Sequence, residues 1–191
     1  PLLNNSNNES HLAYLESKKF LLHFIRSREL DKYIFKSKWD DSKEIWKDHP
    51  PSNHQIYNRF VNDIFFVAQD NSTGLITVSL VWEDAKQAAI WLNDLIKELN
   101  SQIKKSEIEI IEKNIKYINI EISKASLMAP RETLNKIIEK QVEKKMLSYA
   151  TEDYAFKVID PAFISSIPHY PKTINSILFT LFLSVFIILI S

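Results

Sequence analysis

The sequence predicts an α+β protein. It has a small mixed sheet-and-helix membrane-proximal base over residues 11–83, a long helical hairpin over 84–150 and a C-terminal transmembrane helix over 173–191. Three observations carry this. Ile76, Val78, Leu80 and Trp82 alternate with Thr77 and Ser79, the period of a half-buried strand. At Asp84 the apolar period changes to that of a helix and stays helical for more than sixty residues. Residues 173–191 hold no charged side chain, and 177–190 are apolar apart from Thr180 and Ser184. Nineteen helical residues extend about 28 Å, close to a hydrocarbon core of about 30 Å.

The elements follow in order. Residues 1–10 include four asparagines and two serines, which predicts a flexible leading segment. Leu12, Leu15, Phe20, Leu21, Phe24, Ile25 and Leu30 recur at roughly helical spacing. The stretch 39–51 mixes aromatic and charged residues and ends at Pro50-Pro51, which stops regular structure, and a short helix is expected over 54–61. Strands over 64–69 and 75–82 are joined by Asp70-Asn71-Ser72-Thr73-Gly74, turn residues closed by the chain's one glycine.

Asp84 suits the cap of the next helix, whose stripe begins with Leu92, Leu95, Leu99 and Ile103. It continues as Ile111, Ile115, Ile118, Ile122, Ala125 and Ala129, a coiled-coil repeat, with Ser106-Glu107 interrupting it as a kink or a change of face. Glu109/Lys113 and Glu112/Lys116 stand at favourable i,i+4 spacing. With no glycine or proline in 84–129, one helix of roughly 70 Å is permitted, closed by Pro130. A second helix of about 30 Å carries Leu134, Ile137, Ile138, Val142, Met146 and Tyr149. Being shorter, it leaves part of its partner uncovered, so Ile108, Tyr117 and Ile120 are the predicted self-association residues. Residues 154–159 read as a strand returning to the base within a segment 151–162. Residues 163–172 then form a stiff stem, and Pro161, just before it, with Pro168, Pro171 and Lys172 are its membrane-stem residues.

Composition excludes several functions. Lys and Arg number 24 against 24 Asp and Glu, which leaves no basic field for nucleic acid. The absence of cysteine removes disulfides, thiolate metal sites and cysteine nucleophiles. A single glycine cannot build a phosphate-cradling loop. The histidines at 11, 23, 49, 54 and 169 show no metal-ligand spacing, and no nucleophile elbow is present. No catalytic residue, cofactor or metal is therefore expected. Trp39, Trp46, Trp82 and Trp91 read as core or interface anchors rather than sugar-stacking platforms.

One family pattern emerges from these residues. Leu15-Glu16-Ser17-Lys18-Lys19-Phe20-Leu21 with Phe24-Ile25, and Phe35-Lys36-Ser37-Lys38-Trp39-Asp40 with Trp46, resemble the opening of the periplasmic region of Wzz-type polysaccharide chain-length determinants. Thr73-Gly74-Leu75-Ile76-Thr77-Val78-Ser79, then Ala88-Ala89, Asn93 and Leu99-Asn100, resemble that family's hairpin and long-helix start. The most specific likeness is Ile137-Ile138-Glu139-Lys140-Gln141 with Met146-Leu147, followed by Tyr154-Ala155-Phe156-Lys157-Val158-Ile159-Asp160-Pro161-Ala162. The resemblance runs in order over residues 10–191. It departs in Ala85, where the family usually has proline, in Thr173, where a basic residue often stands, and in a membrane segment without glycine. The family's first membrane helix has no counterpart here, and with Pro1 in first place the chain reads as a fragment.

The resemblance implies a non-enzymatic co-polymerase of the bacterial inner membrane, with the bulk of this chain in the periplasm. It would form a homo-oligomeric ring and set O-antigen (lipopolysaccharide) chain length with the O-antigen polymerase and lipid-linked polysaccharide as partners. The alternative is a periplasmic adaptor or scaffold of a membrane transport or export complex, whose glycine-rich β domain a one-glycine chain cannot supply. An enzyme acting on the glycan is a further rival, and would need two converging carboxylates.

Overall fold

The computed structural model describes residues 2–124 and 128–164. Among the described residues, short helices and two small hairpins form a base, from which a long helical hairpin rises: an α+β arrangement, as the sequence predicts. Helix α1 is Leu2–Leu15, so residues 2–10 are helical where the sequence predicts a flexible segment. Asn and Ser each cost a helix only some tenths of a kcal/mol, and the fully buried Leu15 anchors the far end of the same helix.

Ser17 separates α1 from α2 (Lys18–Ser27), accepting a hydrogen bond from Phe20 N at 3.2 Å as an N-cap. Phe20, Leu21, Phe24 and Ile25 of α2 are fully buried and form the centre of the core. Glu29, at φ 54, turns the chain into α3 (Leu30–Ile34). Arg26 ties this region together. Its guanidinium pairs with the buried Asp31 and donates to Pro51 O at 3.2 Å. It thereby holds the Pro50-Pro51 corner against α2. Helix α4 (Asn53–Asp63) then begins with a capping box between Ser52 and Gln55, packs on α2 and α3, and buries Ile56 and Phe60.

The stretch before α4 holds two very short strands, β1 (Trp39–Asp40) and β2 (Ile45–Trp46), with Trp39 opposite Trp46. Strands β3 (Phe65–Gln69) and β4 (Ile76–Leu80) form the expected antiparallel hairpin. Asp70 organises the loop, accepting from Ser72 N at 2.8 Å, Ser72 Oγ at 2.7 Å and Thr73 Oγ1 at 2.9 Å, while Gly74 supplies φ +72. Those hydrogen bonds, the Ser72 hydroxyl first, hold the Asp70 carboxyl at about 2 against an ordinary 3.8. A depressed carboxyl contributes stability fully above its unfolded pKa and loses it as pH falls through the folded one. The loop should therefore stay ordered at pH 4 and loosen on approach to pH 2. A carboxyl NMR titration of Asp70 with its midpoint near 4 would contradict this.

Helix α5 (Ala85–Lys124) is 40 residues long and is capped by Asp84, whose Oδ1 accepts from Lys86 N and Gln87 N at 2.9 and 3.1 Å. It ends short of residue 129, since Ala129 already belongs to α6 (Met128–Ala150), with Pro130 in the first turn. The lower half of α5 buries Trp91, Leu95, Leu99 and Ile103 in the base, and the upper half packs on α6. The helix is continuous through Ser106-Glu107, and Glu107 pairs with Lys144 of α6. The interruption in the stripe is thus a change of face.

No third strand forms at 154–159. The chain instead descends along α5 without regular structure, held by side chains. Lys104 Nζ donates to Thr151 O at 2.8 Å, Asn100 Oδ1 accepts from Ala155 N and Phe156 N at 2.8 and 2.9 Å, and Asn93 Oδ1 accepts from Ala162 N at 2.9 Å. Asn100 Nδ2 also donates to Phe156 O at 3.0 Å, so this residue, 4% exposed, replaces a strand partner. Among the described residues no helix is long and apolar enough to cross a membrane. The predicted span at 173–191, with Pro168, Pro171 and Lys172 of the stem, lies outside them, while Pro161 follows Asp160 in the descending segment. Asn100→Ala should cost about 3 kcal/mol, because two backbone N–H groups lose their acceptor in a buried setting. Faster amide exchange at Ala155 and Phe156, with the helices still protected, is the expected signature; unchanged exchange there would refute the role.

Candidate functional site

The hairpin carries the candidate site, a surface rather than a cleft. Its seam is set by α5. Ile111 is fully buried and Ile115, Ile118 and Ile122 are half-buried towards α6. On α6 the residues that turn inward are Leu134, Ile138, Gln141, Lys145 and Ser148, a 4-3-4-3 repeat of which only the first two are apolar. Ser148 is fully buried and its hydroxyl donates to Lys144 O at 2.9 Å. Charge completes the seam: Lys144 pairs with Glu107, and Lys145 with Glu112 at 2.6 Å. Glu112 is thus bonded across the seam, where the sequence predicts a pair with Lys116 along its own helix. Hydrogen bonding to Glu107 raises Lys144, and hydrogen bonding to Glu112 raises Lys145.

This register corrects the predicted stripe of α6. Leu134 and Ile138 do face α5, but Ile137, Val142, Met146 and Tyr149 are exposed. The reason for exposure on α5 is corrected too. The α6 end meets Lys104, so the length of α5 beyond α6 is its lower half, and the base covers that. Tyr117 and Ile120 are 67% and 43% exposed because they point away from the seam, along with Ile110 at 48%. Ile108 is half-buried beside the seam and does not join them. At 100° per residue, Ile110, Tyr117 and Ile120 extend the face of α5 that packs Leu95 and Leu99 into the base. The same step sets Val142, Met146 and Tyr149 in a second row on α6, on the opposite side of the antiparallel pair, with Ile108 on that flank. Ile110 was legible in the sequence only to a reading that followed the base-packing face upward.

An open groove of about 520 Å³ runs beside the upper hairpin, lined by Ile115, Ile120, Asn119, Ser123 and the Lys145–Glu112 pair. It is chemically mixed, with apolar, amide, hydroxyl and charged side chains. Among the described residues no group of three His, Asp, Glu or Cys side chains is placed to hold a metal ion. The pKa shifts run away from neutrality: Asp40 and Asp70 are lowered by serine hydroxyl bonds, and Lys32, Lys124, Lys144 and Lys145 are raised by carboxylate hydrogen bonds. The tryptophans pack on each other or on aromatic neighbours. Trp82 lies 5.4 Å from Trp91, Trp39 stands edge-on to Trp46 at 5.1 Å, and Lys32 caps the Trp39 ring at 4.6 Å. A sugar ring would find the Lys32 side of Trp39 occupied.

Compared with known protein families and with curated proteins, the chain matches no family model and no curated protein.

The two environments on α5 separate by mutation. Ile111→Ala should lose about 3 kcal/mol as a cavity opens at the seam, whereas Ile120→Ser should stay within about 0.5 kcal/mol of the parent. Urea midpoints measure both, and equal losses would refute the assignment of seam and outer face.

Proposed function

We propose that this chain is the periplasmic part and membrane stem of a Wzz-type chain-length determinant, a non-enzymatic co-polymerase of the bacterial inner membrane. It acts as a ring-forming scaffold that sets how many repeat units the O-antigen polymerase adds to a lipid-linked polysaccharide. The observation that carries this reading is the pair of exposed apolar rows on opposite sides of the helical hairpin. Two different sticky faces on one subunit suit a head-to-tail contact that closes into a ring.

Further support comes from residues that carry the sequence resemblance. Asn100 and Asn93 of the long-helix motif bind the Tyr154-to-Ala162 motif, more than fifty residues away in sequence, through hydrogen bonds of 2.8–2.9 Å. The most specific part of the resemblance is thereby the part that holds the chain's exit to the base. The charge-free stretch 173–191 supplies the tether.

In a host lacking its own determinant, full-length protein carrying Tyr117→Ser, Ile120→Ser or Ile108→Ser should shift or broaden the O-antigen ladder without abolishing polymer. The effect should be weakest at Ile108. Gel analysis at matched membrane levels reads this, with cross-linking to report assembly. Loss of all polymer would indicate an enzyme, and an unaltered ladder from monomeric variants would break the link between assembly and length.

A further inference from the structure

The foot of the base carries a second apolar cluster, unrelated to the hairpin. Phe163 and Ile164 are 79% and 55% exposed, and Ile159 just before them is exposed as well. They are not on a loose strand. The contacts of the descending segment move down α5 in order, from Lys104 to Asn100 to Asn93, and the last of them fixes Ala162, immediately before Phe163. The segment therefore delivers Phe163 and Ile164 to the N-terminal end of α5, the end away from the hairpin tip. Ile90, one turn below Asn93 on the same face of the helix, is half exposed, and Lys86 stands one turn further down.

What covers this cluster is indicated by the chain beyond it. Eight residues, 165–172, separate Ile164 from Thr173, where the charge-free stretch begins. Fully extended, that distance is at most about 30 Å. If 173–191 enters a bilayer, the cluster cannot stand farther from the headgroups than this, and an exposed Phe–Ile pair so placed gains by entering the interface. We propose that Phe163 and Ile164, with Ile90, seat the base on the lipid surface, so that the domain docks on the membrane instead of swinging from it. The occupant is the bilayer interface itself. Glu83 and Asp84 share this end of α5 with Lys86, so the attraction is apolar and neutral phosphatidylcholine should suffice. The inference rests on the reading of 173–191 as a membrane segment.

The absence of native cysteine makes the test clean. Single variants Phe163→Cys, Ile164→Cys, Ser72→Cys and Ser184→Cys of the whole chain are labelled with an environment-sensitive fluorophore and reconstituted in phosphatidylcholine vesicles with and without doxyl lipid. The expected result is blue-shifted emission and doxyl quenching at positions 163, 164 and 184, with water-like emission at 72. Quenching at 184 alone overturns the docking and leaves the tether standing. Blue-shifted emission at 163 and 164 without doxyl quenching means burial against protein, and also overturns it. Water-like emission at 184 removes the tether and the docking together.

Discussion

A row of residues spaced four apart climbs α5 through Trp91, Leu95, Leu99, Ile103, Glu107, Ile111 and Ile115. Four residues of α-helix turn through about 400°, so each step carries the row about 40° further round the axis. Its lower members point into the base and its upper members point at α6, and one unbroken helix serves two cores on different sides. The rest of the structure depends on that winding. It fixes where α6 lies relative to the base. It also leaves the continuation of the base-packing face, Ile110, Tyr117 and Ile120, exposed among the described residues.

A third face of α5 is polar and has a different task. Asn100 is a costly residue to bury in a helix unless its amide is satisfied, and here both ends of the amide bind one short piece of backbone, Ala155 and Phe156. A leucine there would fill space but leave those backbone groups dry and unpaired. The amide therefore selects a path for the chain, which is a specificity that apolar contacts do not offer. Asn93 repeats the device about two turns lower, with a single bond to Ala162.

The hairpin reverses the usual distribution of polarity. Gln141, Lys145 and Ser148 occupy inward positions of α6, while Val142, Met146, Leu147 and Tyr149 face outward. Lys144 and Lys145 bind Glu107 and Glu112 across the seam, and such partly exposed pairs contribute little net stability while fixing register. A hairpin so built is held by a modest seam and keeps apolar surface free. On the function proposed above, that surplus is what neighbouring subunits would cover.

The sequence by itself determined the elements whose signal is local. Alternation marked β3 and β4, Asp70 with Gly74 marked their turn, Asp84 marked the start of α5, and Pro50-Pro51 marked the corner before α4. These rest on backbone preferences and capping bonds that a few neighbouring residues decide. What only the tertiary structure decided was every choice between near-equal faces. Leu134, Ile138, Gln141, Lys145 and Ser148 lie along one face of a helix, and Val142, Met146 and Tyr149 lie along another. The more polar set turned inward, and Lys145 of that set meets Glu112 of α5. Ile108 became half-buried, and Ile120 stayed exposed, through the direction of the winding row rather than through any difference in side chain. Residues 154–159 have the composition of a strand, yet their backbone was claimed by Asn100, a residue more than fifty positions earlier. Periodicity records that a face is apolar, but which face meets which neighbour is settled by contacts between residues far apart in the chain.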